Sequence, residues 1–358
     1  MAVGLNWNEK EATQSLSKKI KTNYINLKYY VIIKTWSVSS GISVGVNMRY
    51  LHYFNSSNGY MKYIQIIVSA VLMLTVSSVL HAQTRRALVI GIGVQKDNTW
   101  GKINGDKDVV YVEEMLRNAK FKTGNIRKLV NQQATKAAIV DAFGKLAAQS
   151  RRGDVVYVHF SGHGQQMKDV HNDEKDGLDE CWIPYDAYRK PCEKDRGEKH
   201  LTDDEVNRCL NAVREKVGDT GKMLVVIDAC HSGGATRGDD DEVVRGVDDI
   251  FEAIKSFVWG NSAEREDKAV NPNARENKER WITVSACRSD QVNIEMKSPA
   301  VGKLTYAIYN KVKGCAVADN NDLMKQIRMF VNSNTGSRPQ YPVMTGETNR
   351  YRITDIIR

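Results

Sequence analysis

Apolar residues in this chain cluster in short unbroken runs. Ala87-Leu88-Val89-Ile90, Val155-Val156-Tyr157-Val158 and Met223-Leu224-Val225-Val226-Ile227 show no alternation of apolar and polar positions. Strands covered on both faces read this way, so these runs predict a parallel sheet held between two layers. A shorter run, Ile126 to Val130, predicts a further strand. Between the runs the apolar spacing lengthens to the helical period. Val109, Val112, Met115 and Leu116 share one face of a helix expected from Asp108 to about Ala119, with Asp108 as its N-cap. Other helices are predicted over Thr135–Gln149, opened by a threonine cap, over Val301–Lys313 and over Asn321–Asn332. Strands alternating with helices indicate an α/β fold.

Two stretches break that alternation. Residues 165–200 read as a charged loop, too long to be an idle connection. Residues 235–280 read as an insertion, with an acidic run, an amphipathic helix predicted over Val247–Trp259, and a polar tail from Asn261 to Arg280. Polar segments without an apolar stripe are easily nicked.

Two of the strands end in reactive side chains. One runs into Asp228-Ala229-Cys230-His231-Ser232-Gly233-Gly234, the other into Ser161-Gly162-His163-Gly164. Ligands of an open α/β sheet sit beyond the carboxyl ends of its strands, and parallel strands end on one side, so His163 and Cys230 converge there. A thiol is only weakly ionised at neutral pH, and a neighbouring imidazole makes it a nucleophile. The N–H groups of Gly164 and Cys230 are placed to hold an oxyanion, Gly164 having no side chain to block a substrate. His231, adjacent to the nucleophile, is expected to point its side chain away and receives no role. No third carboxylate is evident, so the pair is a dyad.

These two motifs together resemble the caspase-like clan of cysteine peptidases, in its metacaspase and bacterial orthocaspase branch. The resemblance extends over roughly residues 85–346. Asp176-Gly177-Leu178-Asp179-Glu180 with Ile183-Pro184-Tyr185-Asp186 is similar to the acidic loop after the metacaspase histidine, and Leu201-Thr202-Asp203-Asp204-Glu205 to the aspartate pair opening the next helix. Trp281-Ile282-Thr283-Val284-Ser285-Ala286-Cys287 resembles the fifth strand, and Gln340-Tyr341-Pro342-Val343-Met344 the last. The implied fold is a three-layer sandwich, a mostly parallel six-stranded sheet with helices on both faces. The implied activity is endopeptidase cleavage after Arg or Lys, with Asp228, Ser161 and Asp108 forming the pocket for the basic residue. Before Asp108, however, Asn104-Gly105-Asp106-Lys107 departs from the family's Gly-Cys-x-Asn.

The resemblance also implies a calcium site drawn from Asp179, Asp203 and Asp204, although a solvated acidic loop would read alike and no EF-hand spacing is present. No cofactor is otherwise required, and the Cys/His spacing of the 165–200 loop matches no zinc module. Basic residues in the insertion, among them Arg237, Arg245, Lys255 and Arg265, make it a candidate for self-processing, with the bond left open. Two rival readings stand beside the peptidase: a catalytically inactive caspase-like scaffold, and a cysteine acyltransferase using the same dyad.

Charge changes the picture only at the start of the chain. The formal net charge of +9 suggests nucleic acid until its distribution is followed. Residues 1–60 carry five of those charges and Lys62 one, leaving +3 for residues 83–358, interspersed with acids. Nucleic acid is therefore not an expected partner; a peptide or protein with a basic residue before the cut is. Met61-Lys62 followed by the apolar run Tyr63–Leu80 and His81-Ala82-Gln83 has the anatomy of a secretory signal. An uncleaved membrane anchor through 63–80 is the alternative, since the run is just long enough to span. On the first view residues 1–60 lie upstream of the true start, and the exported peptidase domain is residues 83–358. With Cys230 as nucleophile five cysteines remain, so no even disulfide framework is implied.

Overall fold

The computed structural model describes the backbone of Ile32–Thr35 and Val46–Arg49, and residues 83–169, 177–230, 242–247, 249–253, 279–314, 316–333 and 338–358. The chain divides into two units, Met1–His81 and Ala82–Arg358. In the first, strands β1 (Ile32–Thr35) and β2 (Val46–Arg49) form an antiparallel pair. The expected secretory segment, His231 and most of the 235–280 insertion lie outside the described residues. Among the described residues no helix is long and apolar enough to cross a membrane.

The second unit is built on one sheet. In chain order its elements begin β3 (Arg85–Gly91), α1 (Gly105–Asn118), β4 (Ile126–Val130), α2 (Lys136–Gln149) and β5 (Val155–Ser161). Next come β6 (Gly164–Lys168), β7 (Leu178–Trp182), β8 (Leu201–Thr202), α3 (Asp203–Val217) and β9 (Lys222–Asp228). The unit closes with β10 (Ile282–Ser285), β11 (Glu295–Lys297), β12 (Ala300–Gly302), α4 (Lys303–Gly314), α5 (Asn320–Ser333), β13 (Val343–Gly346) and α6 (Thr354–Ile357). The sheet order is β13-β10-β9-β5-β3-β4, parallel throughout except for the antiparallel edge strand β13. This is the three-layer α/β sandwich that the unbroken apolar runs and the family resemblance imply.

Successive residues of each central strand feed opposite layers. Ala87, Val89, Tyr157, Leu224 and Val226 pack with α1, α4, α5 and α6, while Leu88, Ile90, Val156, Val158, Met223 and Val225 pack with α2 and α3. Both faces are apolar because both are covered, so no alternation survives in the sequence. Helix α2 is capped as expected, Ala138 N–H donating to the Thr135 hydroxyl, and α3 opens on a Thr202–Glu205 capping box.

Three expectations need correction. Helix α1 begins at Gly105, so Asp108 lies inside its first turn and is not its N-cap. The 165–200 stretch is not a plain loop: it contains the antiparallel hairpin β6–β7, joined by β8. The helix expected at Val247–Trp259 is absent over its described part. Phe251 instead bridges Met167 of β6 in parallel, its N–H donating to Gln166 O (2.8 Å) and its carbonyl accepting from Lys168 N–H (3.1 Å). Val247 and Phe251 are four apart, a spacing that shares a face on a strand as well as on a helix. Here they bury against Trp100, Met167, Cys181 and Ile183.

Two glycines let α1 approach the strand ends. A Cβ on Gly105 would lie 2.5 Å from Ile92 O and 2.6 Å from Ser161 O. One on Gly91 would strike Val109 Cγ2 and come within 2.5 Å of Gly105 O. The backbone contact at Gly91 cannot yield by a rotamer change, so we expect Gly91→Ala to lose about 1–3 kcal/mol, the usual cost of overpacking. A lowered urea midpoint at unchanged slope would show it, whereas an unchanged midpoint would mean that α1 moves off the sheet freely.

Candidate active site

The site is set by register. Strands β5 and β9 pair directly, with Ser161 opposite Asp228 as the last rung. His163 and Cys230 each follow two residues later, so the ladder itself brings them to one place. Gly164 completes the junction, because a Cβ there would collide with the Cys230 carbonyl oxygen. The glycine is thus required by the close passage of the two loops rather than by room for a substrate.

His163 is buried, and its Nε2–H donates to the Gly101 carbonyl (2.7 Å) while its ring packs on Trp100 with centroids 5.0 Å apart. With Nε2 donating, Nδ1 carries the lone pair, and it has no hydrogen-bond partner. Burial lowers the His163 pKa to about 4, so the imidazole is neutral, with its Nδ1 lone pair available. The backbone oxygen of Gly101 orients the ring, in the place that a carboxylate takes in a catalytic triad. Nothing in the sequence marked Gly101 for this. Cys230 is buried, and its thiol donates to Gln291 O (3.3 Å); Cys287 donates to the same oxygen (3.3 Å). Cys181, Cys192, Cys209, Cys230 and Cys287 are all thiols.

Asp108, Ser161 and Asp228 converge as the pocket reading requires, all fully buried. Asp228 accepts from Asn293 Nδ2 (2.7 Å), Thr305 N (2.8 Å) and Thr305 Oγ1 (2.6 Å). Asp108 accepts from Gly302 N (2.9 Å) and from the Ser161 hydroxyl. Gly302 and Thr305 stand at the start of α4, where unpaired amides and the helix dipole favour negative charge. A Cβ on Gly302 would run into Asp228 Oδ2 and lie 2.7 Å from Arg245 Nη1, so this glycine forms part of the pocket wall.

Arg245 occupies the pocket. Its Nη1 donates to Asp108 Oδ2 (2.6 Å), Ser161 Oγ (2.6 Å) and the Asp228 carbonyl (3.2 Å), and lies 3.4 Å from Asp228 Oδ1. Its Nε donates to Glu295 Oε1 (2.9 Å). Glu295 is itself fixed by the backbone N–H (2.6 Å) and side-chain amide of Asn104. The main chain is held equally closely: Arg245 O accepts from Cys230 N–H (2.9 Å) and Gly164 N–H (3.4 Å), the two groups expected to bind an oxyanion. Arg245 N–H donates to Asn293 O (2.9 Å), Glu295 N–H to Val243 O (2.9 Å), and Val244 bridges Ile294 antiparallel.

The charges respond to one another. Burial pushes Asp108 up to about 6, opposed by Arg245 and reinforced by Asp228. Burial would raise Asp228 as well, but Arg245, Thr305 and Asn293 hold it below its ordinary value. Behind them a relay runs from Tyr157 O–H to His159 Nδ1 (2.9 Å), from His159 Nε2–H to Thr305 Oγ1 (3.3 Å), and on to Asp228. Burial lowers His159 to about 4, which fits its neutral place in that relay. Sequence reading missed Glu295, Asn293 and Thr305 because their contacts are made only across the fold. Arg245 was visible as one basic residue among several.

The candidate calcium ligands do not form a set. Asp179 and Asp203 both bear on the Cys181 thiol, while Asp204 lies 4.0 Å from Arg208. Among the described residues no group of three or more His, Cys, Asp or Glu is arranged to hold a metal ion. Asp173, Glu174 and Asp176 of the acidic loop lie outside those residues.

A family model described as the caspase domain matches residues 84–353. Metacaspase-1A of Aspergillus oryzae is 34% identical over 162 residues, 42% of this chain and 35% of that protein. Metacaspase-1B of Neurospora crassa is 25% identical over 298 residues, 71% of this chain and 65% of that protein. The chain therefore spans less than two thirds of the length of these relatives. Protein GSU0716 from Geobacter sulfurreducens, known as a crystal structure, superposes with a TM-score of 0.50 at 22% identity, covering 77% of this chain and 97% of that one. That likeness is one of fold.

His159, His163 and His200 are all buried, with pKa values lowered by burial to about 4, 4 and 3 from 6.5. Below about pH 6.5 the unfolded chain binds protons that the folded one refuses, so the stability these neutral rings permit is complete above that pH and drains away as pH falls toward 4. We expect a level thermal midpoint from pH 8 to 7 and a steady fall from 6.5 to 4. A midpoint independent of pH over that window would contradict the burial of neutral rings.

Proposed function

The chain belongs to the caspase-domain family of peptidases, and from that membership we propose that it is a cysteine endopeptidase cutting after arginine or lysine through a Cys230–His163 dyad, and that it processes itself within the 235–280 insertion. The observation that carries the reading is the seat of Arg245, with its guanidinium among Asp108, Ser161, Asp228 and Glu295 and its carbonyl on the N–H groups of Cys230 and Gly164. Side chain and carbonyl together lie as those of a residue before a scissile bond would lie.

The chemistry follows from the groups present. The Cys230 thiol gives its proton to His163 Nδ1, and the thiolate attacks the carbonyl carbon after the basic residue. The two N–H groups take up the developing oxyanion, each such donor being worth roughly 10²–10³ in rate. Gly101 O holds the opposite ring nitrogen and favours the imidazolium once it forms. His163 then protonates the leaving amine, and in the second half it activates the water that releases the acyl group.

The pocket selects by charge and by shape. Three buried carboxylates repel an acidic side chain and leave their own charges uncompensated when no cation enters. Glu295 adds discrimination, since it accepts from Nε, an atom whose position in lysine is a methylene. A hydrogen bond to a charged partner contributes about 1.5–3 kcal/mol, so arginine peptides should exceed lysine peptides about 10- to 100-fold in kcat/KM.

Matched fluorogenic peptides ending in Arg, Lys or Asp test the reading, with the protein activated as it is and as Cys230→Ala. We expect turnover after Arg and Lys that vanishes in the variant, and hydrolysed rather than ligated products by mass. Cleavage only after Asp, or residual turnover in Cys230→Ala, would contradict it. Glu295→Gln should bring the Arg-to-Lys ratio toward unity; an unchanged ratio would remove Glu295 from specificity.

A further inference from the structure

We propose that the peptide bond between Arg245 and Gly246 is the enzyme's first substrate, cut in cis by the active site in which it lies. The proposal rests on the peptidase reading above and names the bond which that reading leaves open.

The chain is held on both sides of this bond. On the amino side, Val243 to Arg245 runs antiparallel to Asn293–Glu295 through two backbone hydrogen bonds that form the Val244–Ile294 bridge. On the carboxyl side, Gly246 bridges Gly164 in parallel, and Phe251, which is fully buried, makes a second parallel bridge to Met167 of β6. Gln165 Nε2 donates to Asp249 O (2.8 Å), and the Arg189 guanidinium pairs with the Asp249 carboxylate at 2.8 Å. Between the two anchored arms the Arg245 carbonyl rests on the oxyanion donors.

Gly246 is the residue the nucleophile meets. A Cβ at this position would lie 2.8 Å from Cys230 Cβ and 3.3 Å from Cys230 Sγ. Any side chain would therefore push the segment away from the thiol, and only glycine lets the carbonyl settle where it is. His163 Nδ1, buried and without a hydrogen-bond partner, is the base and later the acid nearest in role to the Gly246 nitrogen. The same geometry makes glycine the favoured residue after the cut in external substrates.

The reaction balances without a further reactant. Cys230 Sγ bonds to the Arg245 carbonyl carbon, the carbon–nitrogen bond to Gly246 breaks, and the thiol proton passes through His163 to the new amine. One water then adds to the thioester, its proton travels through His163 back to sulfur, and Arg245 ends in a carboxylate. The two arms are held by different elements, so the cut separates them. The carboxyl-side arm stays bridged to β6 at Gly246 and at buried Phe251, while the Val243–Arg245 arm, no longer joined to it, can release its contacts and leave the pocket. Until then an external peptide competes with a residue tethered at high effective concentration.

The test uses the freshly purified full chain, followed by intact mass, N-terminal sequencing and turnover of an arginine peptide. We expect a new N-terminus at Gly246, formed at a first-order rate unchanged over a hundredfold dilution, with peptide turnover rising in step. Cys230→Ala should remain whole at this bond even when mixed with active enzyme, and Gly246→Val should cut at least 100-fold more slowly. Peptide turnover with the Arg245–Gly246 bond intact overturns the proposal and leaves the peptidase standing. A rate that scales with protein concentration overturns cutting in cis. Absence of both self-cleavage and peptide turnover overturns the peptidase reading and this proposal with it. The wild-type measurements decide among these outcomes whatever Gly246→Val does to folding.

Discussion

A guanidinium sealed from water among three carboxylates organises the catalytic end of this molecule. Arg245 meets Asp108 from α1, Asp228 from the end of β9 and Glu295 from β11, so one side chain ties together three elements that are far apart in the chain. Removing one member of such a buried group commonly costs about 3–5 kcal/mol, because the charges left behind have no water to turn to. One cation does not neutralise three acids. The surplus is absorbed by amides at the start of α4, by Asn293 and Ser161, and by the raised pKa of Asp108. The pocket is therefore built to hold a cation, and that requirement is the physical basis of the selectivity proposed for it.

The proposed dyad depends on a different constraint, the register of β5 on β9. Because Ser161 and Asp228 are paired, the residues just beyond them are neighbours, and both the pocket and the dyad come from the same rung and its continuation. A slip of one residue would put these side chains on opposite faces of the sheet. Register is protected by the two apolar layers, which fix the face of every residue in both strands, and by glycines at the points of closest approach. Gly164 and Gly105 are conditions of the geometry, since backbone of one loop passes where their Cβ atoms would be.

Occupation of the site by its own chain ties function to the insertion. The described part of this segment is not an appendage: it bridges β6 at Gly246 and Phe251, buries Phe251 beside Trp100 and Met167, and presents Arg245 to the pocket on the way. The carbonyl of that arginine uses the same two N–H groups that stabilise the transition state in the proposed mechanism. In the proposed mechanism, substrate recognition and restraint of the enzyme are thus one set of contacts.

The sequence by itself determined the layered α/β architecture, because strands covered on both faces need uninterrupted apolar runs, and runs this short alternate with segments of helical period. It also determined the two strand-end motifs, since a histidine and a cysteine following parallel strands have only one side of the sheet to occupy. Those inferences rest on local periodicity, which a linear chain displays directly. What only the tertiary structure decided were relations between residues distant in sequence: Gly101 orienting His163, Glu295 completing the pocket, and Arg245 filling it. The segment from Val247 shows why. Its apolar residues four apart satisfy a helix and a strand equally, and the choice fell to the unpaired edge of β6, which offered backbone partners that no reading of the segment alone contains.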